Sequence, residues 1–428
     1  NRATGNCSFI GGGCSNSATT CYSTIVGGLD NIASEQYSFI GGGLNNIATA
    51  GCTFIGGGCS NSATTQFSTI VGGDLNSATG VRSFIGGGSS NRATGNCSFI
   101  GGGCSNSATT IFSTIVGGLD NIASEQYSFI GGGRNNIATE GDSFIGGGCT
   151  NSATRRSSVI VGGEVNTSSG LYSFIGGGQC NTNCAANSVI VGGRCNTISS
   201  DCNFSFIGGG LNNTASGTCT FIGGGNSNSA TTQFAVVVGG CNNTILSGNG
   251  HSFIGGGLNN IATAGCTFIG GGSSNSATTQ FAVVVGGDLN SATGVRSFIG
   301  SGRNNTSCAV RSVIVGGSGN TISSNATDSF IGGGTDNTSC APTSVIVGGC
   351  GNTISSGSNQ SVILGGLLNS VTGNTKTFII GSNITADRDC TTFVNNLSII
   401  NLPSGPGSLP SGSVYYCSAS GNTIHYVP

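Results

Sequence analysis

The sequence predicts an all-β fold, a parallel β-solenoid (β-roll) of about 25 coils with a 15-residue period, and three observations predict it. An apolar run returns every 15 residues, at 8, 23, 38, 53, 68, 83 and on to 377, broken by four 17-residue coils and one of 16. Glycine supplies 81 of 428 residues, which excludes helices, because each interior Gly costs ~1 kcal/mol against Ala. Charged residues are 6%, against about a quarter in ordinary globular chains.

A typical coil reads Ser38-Phe39-Ile40-Gly41-Gly42-Gly43-Leu44-Asn45-Asn46-Ile47-Ala48-Thr49. Positions are counted from that opening Ser, Thr or Ala. The first five read as a strand, Gly and Asn as a corner, and the following Asn-x-Ala-Thr as a second short strand. Fifteen residues bury too little alone. Stacked ~4.8 Å apart they close a parallel sheet, and 25 coils give a rod of roughly 120 Å. The repeat domain spans 1–391. The segment 392–428 loses the period, holds Pro403, Pro406, Pro410 and Pro428, and reads as a small C-terminal cap covering unpaired backbone.

Position 9 is Asn in every coil from 8 to 361, beginning with Asn16, Asn31, Asn46, Asn61 and Asn76. Asn tolerates left-handed backbone and bonds along a stack, so a structural ladder is expected, with a ligand-binding row as the alternative. Positions 2 and 4 share one strand face. Where position 2 is Phe, position 4 is Gly in 14 of 15 coils. Where it is Thr or Val, position 4 is Val or Leu in all ten. This exchange keeps volume roughly constant, as in a packed layer, and predicts a buried face. Position 3, Ile or Val, points the other way toward a small residue at position 11, which the 17-residue coils replace with Ile198, Ile245, Ile322 and Ile354. A thin coil has one inside, so a strand apolar on both faces predicts lateral association with copies of itself.

Twenty Cys accompany only two His, without a CxxC pair, which favours disulfides in an oxidising compartment over zinc. Same-position neighbours one coil apart make Cys180–Cys195 a candidate intrachain disulfide, and Cys202–Cys219 comes close. Cys14, Cys59, Cys104 and Cys149 recur every third coil, ~14 Å apart, and are candidates for interchain bonds. Free thiols buried in corner slots are the alternative. Sequons such as Asn166 and Asn325 leave glycosylation undecided. His251 and His425 lack nucleophile or acid partners, and the Gly runs lack a phosphate loop's Lys-Ser/Thr ending. No catalysis, cofactor or metal is expected. The net charge of −2 gives no field for nucleic acid, and no apolar run is long enough to insert into a membrane as a helix.

The motif Ser-[Phe/Thr/Val]-[Ile/Val]-[Gly/Val]-Gly-Gly-x-x-Asn-x-Ala, clearest at Ser158–Gly163 and Ser188–Gly193, resembles the YadA-like head repeats of trimeric autotransporter adhesins. That resemblance covers residues 1 to about 390. It implies a left-handed β-roll, a homotrimer, and a surface adhesin that binds matrix or host ligands. The coil here has 15 residues where that family commonly has 14, Phe dominates position 2, and the Cys load is unusual for it. Segments 397–403 and 409–416 bear a weaker resemblance to viral and phage fibre ends. The expected function is a structural subunit of an extracellular or virion-surface fibre. An adhesin head binding a surface glycan or matrix protein is the alternative, and an ice-binding solenoid comes third.

Overall fold

The computed structural model describes residues 1–246, 250–398, 407, 409–411, 413–417 and 423–426. The chain is an all-β parallel solenoid with the 15-residue period. Two kinds of short strand alternate, 26 of each. The chain forms two compact units, Asn1–Asn304 and Asn305–Pro428.

In the first unit the front strands run from Phe9–Ile10 to Phe298–Ile299 and the back strands from Arg2–Ala3 to Ser291–Ala292. Each pairs in parallel with its equivalent one coil on, so Phe9 faces Thr24 and Ser17 faces Ile32. Strands are only two residues long, shorter than the five positions the sequence suggests, because the Gly run turns away. Gly28 sits at φ +99, and a Cβ there would lie 2.2 Å from the Gly43 carbonyl. Only Gly fits such a site.

Two further corners, at positions 8 and 15, carry non-Gly residues in the left-handed region, such as Ser15 and Tyr22 at φ 56 and 58. Such a conformation costs ~1–2 kcal/mol per residue. The ladder shows what offsets it. Strand amides donate forward to the next coil, as Phe9 N to Ser23 O (2.9 Å). Corner amides donate back, as Tyr22 N to Asn6 O (3.0 Å) and Asp30 N to Cys14 O (3.1 Å). A left-handed corner reverses the peptide, so one residue bonds in each direction.

The interior is a single file of side chains. Ile at position 3 and Ala at position 11 are 0% exposed coil after coil, as Ile25, Ile40, Ala33 and Ala48. Position 1 hydroxyls lie inside too. Some donate to the carbonyl three residues back, as Ser23 to Thr20 (2.8 Å), others to the next coil, as Ser252 to Ala264 (2.8 Å). Those of Ser83, Ser98, Ser143 and Ser297 have no partner among the described residues. Where position 11 is polar it finds a partner: Ser168 and Ser173 share a 2.6 Å hydrogen bond, and Asn183 Nδ2 donates to Ser188 O at 2.8 Å.

Positions 2 and 4 face outward, not into the core. The Phe/Gly coupling is instead local, because each Phe ring lies over the Gly two residues on in its own strand. A Cβ at Gly56 would meet Phe54 Cε1 at 3.4 Å, and the neighbouring coil's Val71 carbonyl at 2.3 Å. Adjacent Phe coils stack their rings, with Phe39–Phe54 and Phe84–Phe99 centroids 5.2 Å apart.

In the second unit, front strands run from Val313–Ile314 to Thr392–Val394 and back strands from Thr306–Ser307 to Thr385–Ala386. The ladder continues three residues into the segment expected as a cap, since Phe378 pairs with Thr392 and Ile380 with Val394. Beyond it, Val414–Cys417 and Thr423–Tyr426 form an antiparallel hairpin. Part of the expected cap, including 399–406 and its three prolines other than Pro410, lies outside the described residues.

Candidate functional site

The Asn row is built into the coil. Asn61 Nδ2 donates to Gly57 O (3.0 Å) and to Gly73 O of the next coil (2.8 Å), and its Oδ1 accepts the Asn76 amide (3.0 Å). Asn16, Asn31, Asn46 and Asn76 make the same set and are at most 1% exposed. Left-handed backbone falls on the residue before each of them, such as Asn45 or Ser60, rather than on the ladder Asn itself. No atom of this row faces solvent to hold a ligand. Asn166 belongs to the row and is buried, whereas Asn325 is exposed.

Cysteines decorate the corners. At position 7, Cys59 bridges Leu44 and Asp74, and Cys104 bridges Ser89 and Leu119, so no cysteine of that row abuts another. Cys14 is exposed, and Cys59, Cys104 and Cys149 are partly so. Arg134 Nη2 donates to Cys149 Sγ at 3.5 Å. Hydrogen bonds from Thr150 and then Arg134 hold that thiol below its usual value, favouring the thiolate. Cys180 and Cys195 occupy position 8 of successive coils, both left-handed. They stand as free thiols within hydrogen-bonding reach, and burial together with Cys195 pushes the Cys180 thiol up.

The register separates the other expected pair. Cys219 N donates to Asn203 O, which sets Cys219 beside Phe204, while Cys202 turns inward, 4% exposed. The two extra residues of a 17-residue coil cause this, adding one inward side chain; Ala326 and Ser358 hold the equivalent places. Cys202 is the one buried cysteine among the described residues.

The outward surface has three parts. On the front face, Val26, Val71, Val116 and Val161 stay 48–49% exposed beside Phe rings that are up to 55% exposed. The back face shows positions 10 and 12, largely Ser, Thr and Ile, as in Ser62/Thr64 and Ser77/Thr79. The position-15 corner stacks aromatic and cationic groups: Tyr22 on Tyr37 (5.1 Å), Phe112 on Tyr127 (5.2 Å), His251 on Phe234 (4.7 Å), and Arg82 over Phe67 (5.5 Å). His251 is thereby a stacked surface residue. The side chain of His425 lies outside the described residues.

Two shallow grooves of about 520 and 420 Å³ run along the turns after the back strand. The first is lined by Arg155, Leu171, Cys184 and Asp201 among others, the second by Thr19, Thr20, Glu35 and Gln36 among others. Among the described residues, no three His, Cys, Asp or Glu gather as a metal site, and no helix is long and apolar enough to cross a membrane. The corner stacks and the Arg134–Cys149 contact escaped the sequence reading, although the position-15 column of rings and Arg was present in it. No protein-family model matches the chain, and no curated protein matches it.

Proposed function

We propose that this chain is a structural subunit of an extracellular or virion-surface fibre, in which copies associate laterally through the front face. One observation carries the reading: in the first unit, coil after coil presents half-exposed Val and Phe side chains on an outer face without charge. Contiguous apolar surface of that extent marks an interaction site in soluble proteins. Twenty cysteines, most of them at corners open to solvent, suit an oxidising compartment. Trimeric assembly rests on the resemblance to YadA-like repeats alone.

Sedimentation of the reduced protein tests the association. The native chain runs as an oligomer, and Val71→Asp with Val116→Asp runs as a monomer that keeps its β circular dichroism. A native monomer at high concentration would defeat the proposal.

The second reading, an adhesin head, is favoured by the exposed Tyr22–Tyr37 stack. Cys21 and Gln36, which line the smaller groove with Glu35, directly precede those rings. Rings beside carboxylate and amide groups suit a glycan. Saturable binding on a glycan array that is lost in Tyr37→Ser supports it, and binding unaffected by that change removes it.

A further inference from the structure

The front face of the first unit has two edges, and cysteines mark both at the same levels. Cys7, Cys52 and Cys97 stand at the position-15 corner just before a front strand, and Cys14, Cys59 and Cys104 at position 7 just after it. Three of the six are exposed and three partly exposed.

Within one chain none of them has a partner among the others. Like cysteines are three coils, ~14 Å, apart, and the two on one coil stand at opposite corners of the front face as free thiols. A disulfide needs Cα atoms within about 7 Å.

A second copy changes this. When chains run in the same direction around any rotation axis parallel to them, unlike edges meet: the position-7 edge of one lies beside the position-15 edge of the next. Antiparallel copies set like edges together.

Charge independently matches unlike edges. Position 7 and the following position 15 read Asp74 and Arg82, then Arg134 and Asp142, then Asp288 and Arg296. Each opposite sign lies one coil step of ~5 Å beyond the level of its position-7 charge, a distance an arginine side chain spans, whereas Arg296 and Arg303 share both a level and a sign. Asp142 and Asp288 also pair within the chain, with Arg156 and Arg303.

We infer that the partner of this face is a second copy of the same chain, parallel and in register, joined by disulfides from Cys14, Cys59 and Cys104 to Cys7, Cys52 and Cys97 of its neighbour. This rests on the lateral association proposed above and adds its direction, register and connectivity. The oxidant is a small-molecule disulfide such as glutathione disulfide. A thiolate of one edge attacks it, releasing one glutathione thiolate. The thiolate of the facing edge then displaces the second, so one S–S bond forms, one breaks, and two glutathiones leave with the two protons.

Full-length variants that keep a single cysteine, Cys7 or Cys14, test it, with Ser elsewhere. Ser already occupies both rows at Ser89 and Ser157, and Ser358 holds the place equivalent to Cys202. Circular dichroism checks folding, and each variant is oxidised with glutathione disulfide, alone and mixed. The expected result is a covalent dimer on non-reducing gels in the mixture, lost in either variant alone. The set Cys52 and Cys59 repeats the test at a second level. A dimer from either variant alone means like edges meet and overturns the inference, as does an unlinked mixture whose reduced protein still sediments as an oligomer. A reduced monomer removes the lateral association itself, and this inference falls with it.

Discussion

At the residue scale, the coil depends on a few atoms with no substitute. Asn61→Ala removes the Nδ2 bonds to Asn46 Oδ1, Gly57 O and Gly73 O and leaves the buried Asn76 amide without its acceptor. Each buried unsatisfied group costs about 1–3 kcal/mol, so a loss of roughly 2–5 kcal/mol is expected in urea melts, with faster hydrogen exchange at Asn76. Glycines in one run differ sharply. A Cβ at Gly27 meets nothing within 4 Å, whereas one at Gly28 meets the Gly43 carbonyl at 2.2 Å in left-handed backbone. Gly27→Ala should fold with an unchanged melt, and Gly28→Ala should abolish the cooperative transition. The Asn column was plain in the sequence because it is invariant within the chain. Its neighbour at position 8 was not, because Ser15, Asp30, Asn45 and Leu75 share a backbone conformation and nothing else.

At the element scale, the coil's width and its inward residue at position 11 change together. Ile198, Ile245, Ile322 and Ile354 are all 0% exposed in the 17-residue coils, where 15-residue coils hold Ala, Ser or, at 183, Asn. Ile198→Ala should therefore open a cavity and cost about 2–5 kcal/mol, measured by denaturant unfolding. Ala18→Ile in a narrow coil should destabilise through overpacking instead. The period and the position-3-to-11 contact were legible because volume at one tracks coil length at the other. Which strand face looks inward was harder to read. The Phe/Gly exchange resembles packing across a core, yet it records each ring lying over its own strand's glycine, a contact within three residues that a pattern of volumes cannot distinguish from a distant one.

At the scale of the whole molecule, stability owes little to ionisation. The ladder is made of amides, hydroxyls and backbone, and only 26 Lys, Arg, Asp and Glu occur in all (12 and 14). Arg311 Nη2 bonds Asp328 Oδ2 at 2.8 Å and holds that carboxyl below its usual range, as Arg388 does for Asp387. A depressed carboxylate stabilises above its unfolded pKa and ceases to as pH falls through its folded one. Both pairs are solvent-exposed, so each contributes little. Melting temperatures should hold nearly level from about pH 8 to 5, with a small decline below about pH 4 that Arg311→Ala reduces. A steep acid transition would show that the Asn ladder is not the main support. Fold class was readable from period and composition. The partners of the outer face were not, because a column of side chains shows what is exposed without showing what covers it.

The two-way bonding of the corners bears on how such a gene can change. Each turn hands its neighbour the same set of donors and acceptors, whatever side chain the corner carries. Unequal recombination that adds or removes 45 nucleotides, or any multiple, therefore leaves every seam chemically closed. Residues 91–97 repeat 1–7 and 258–272 repeat 44–58 without a change, the trace such copying leaves. Selection can thus tune the number of turns in whole steps, without redesigning any of them.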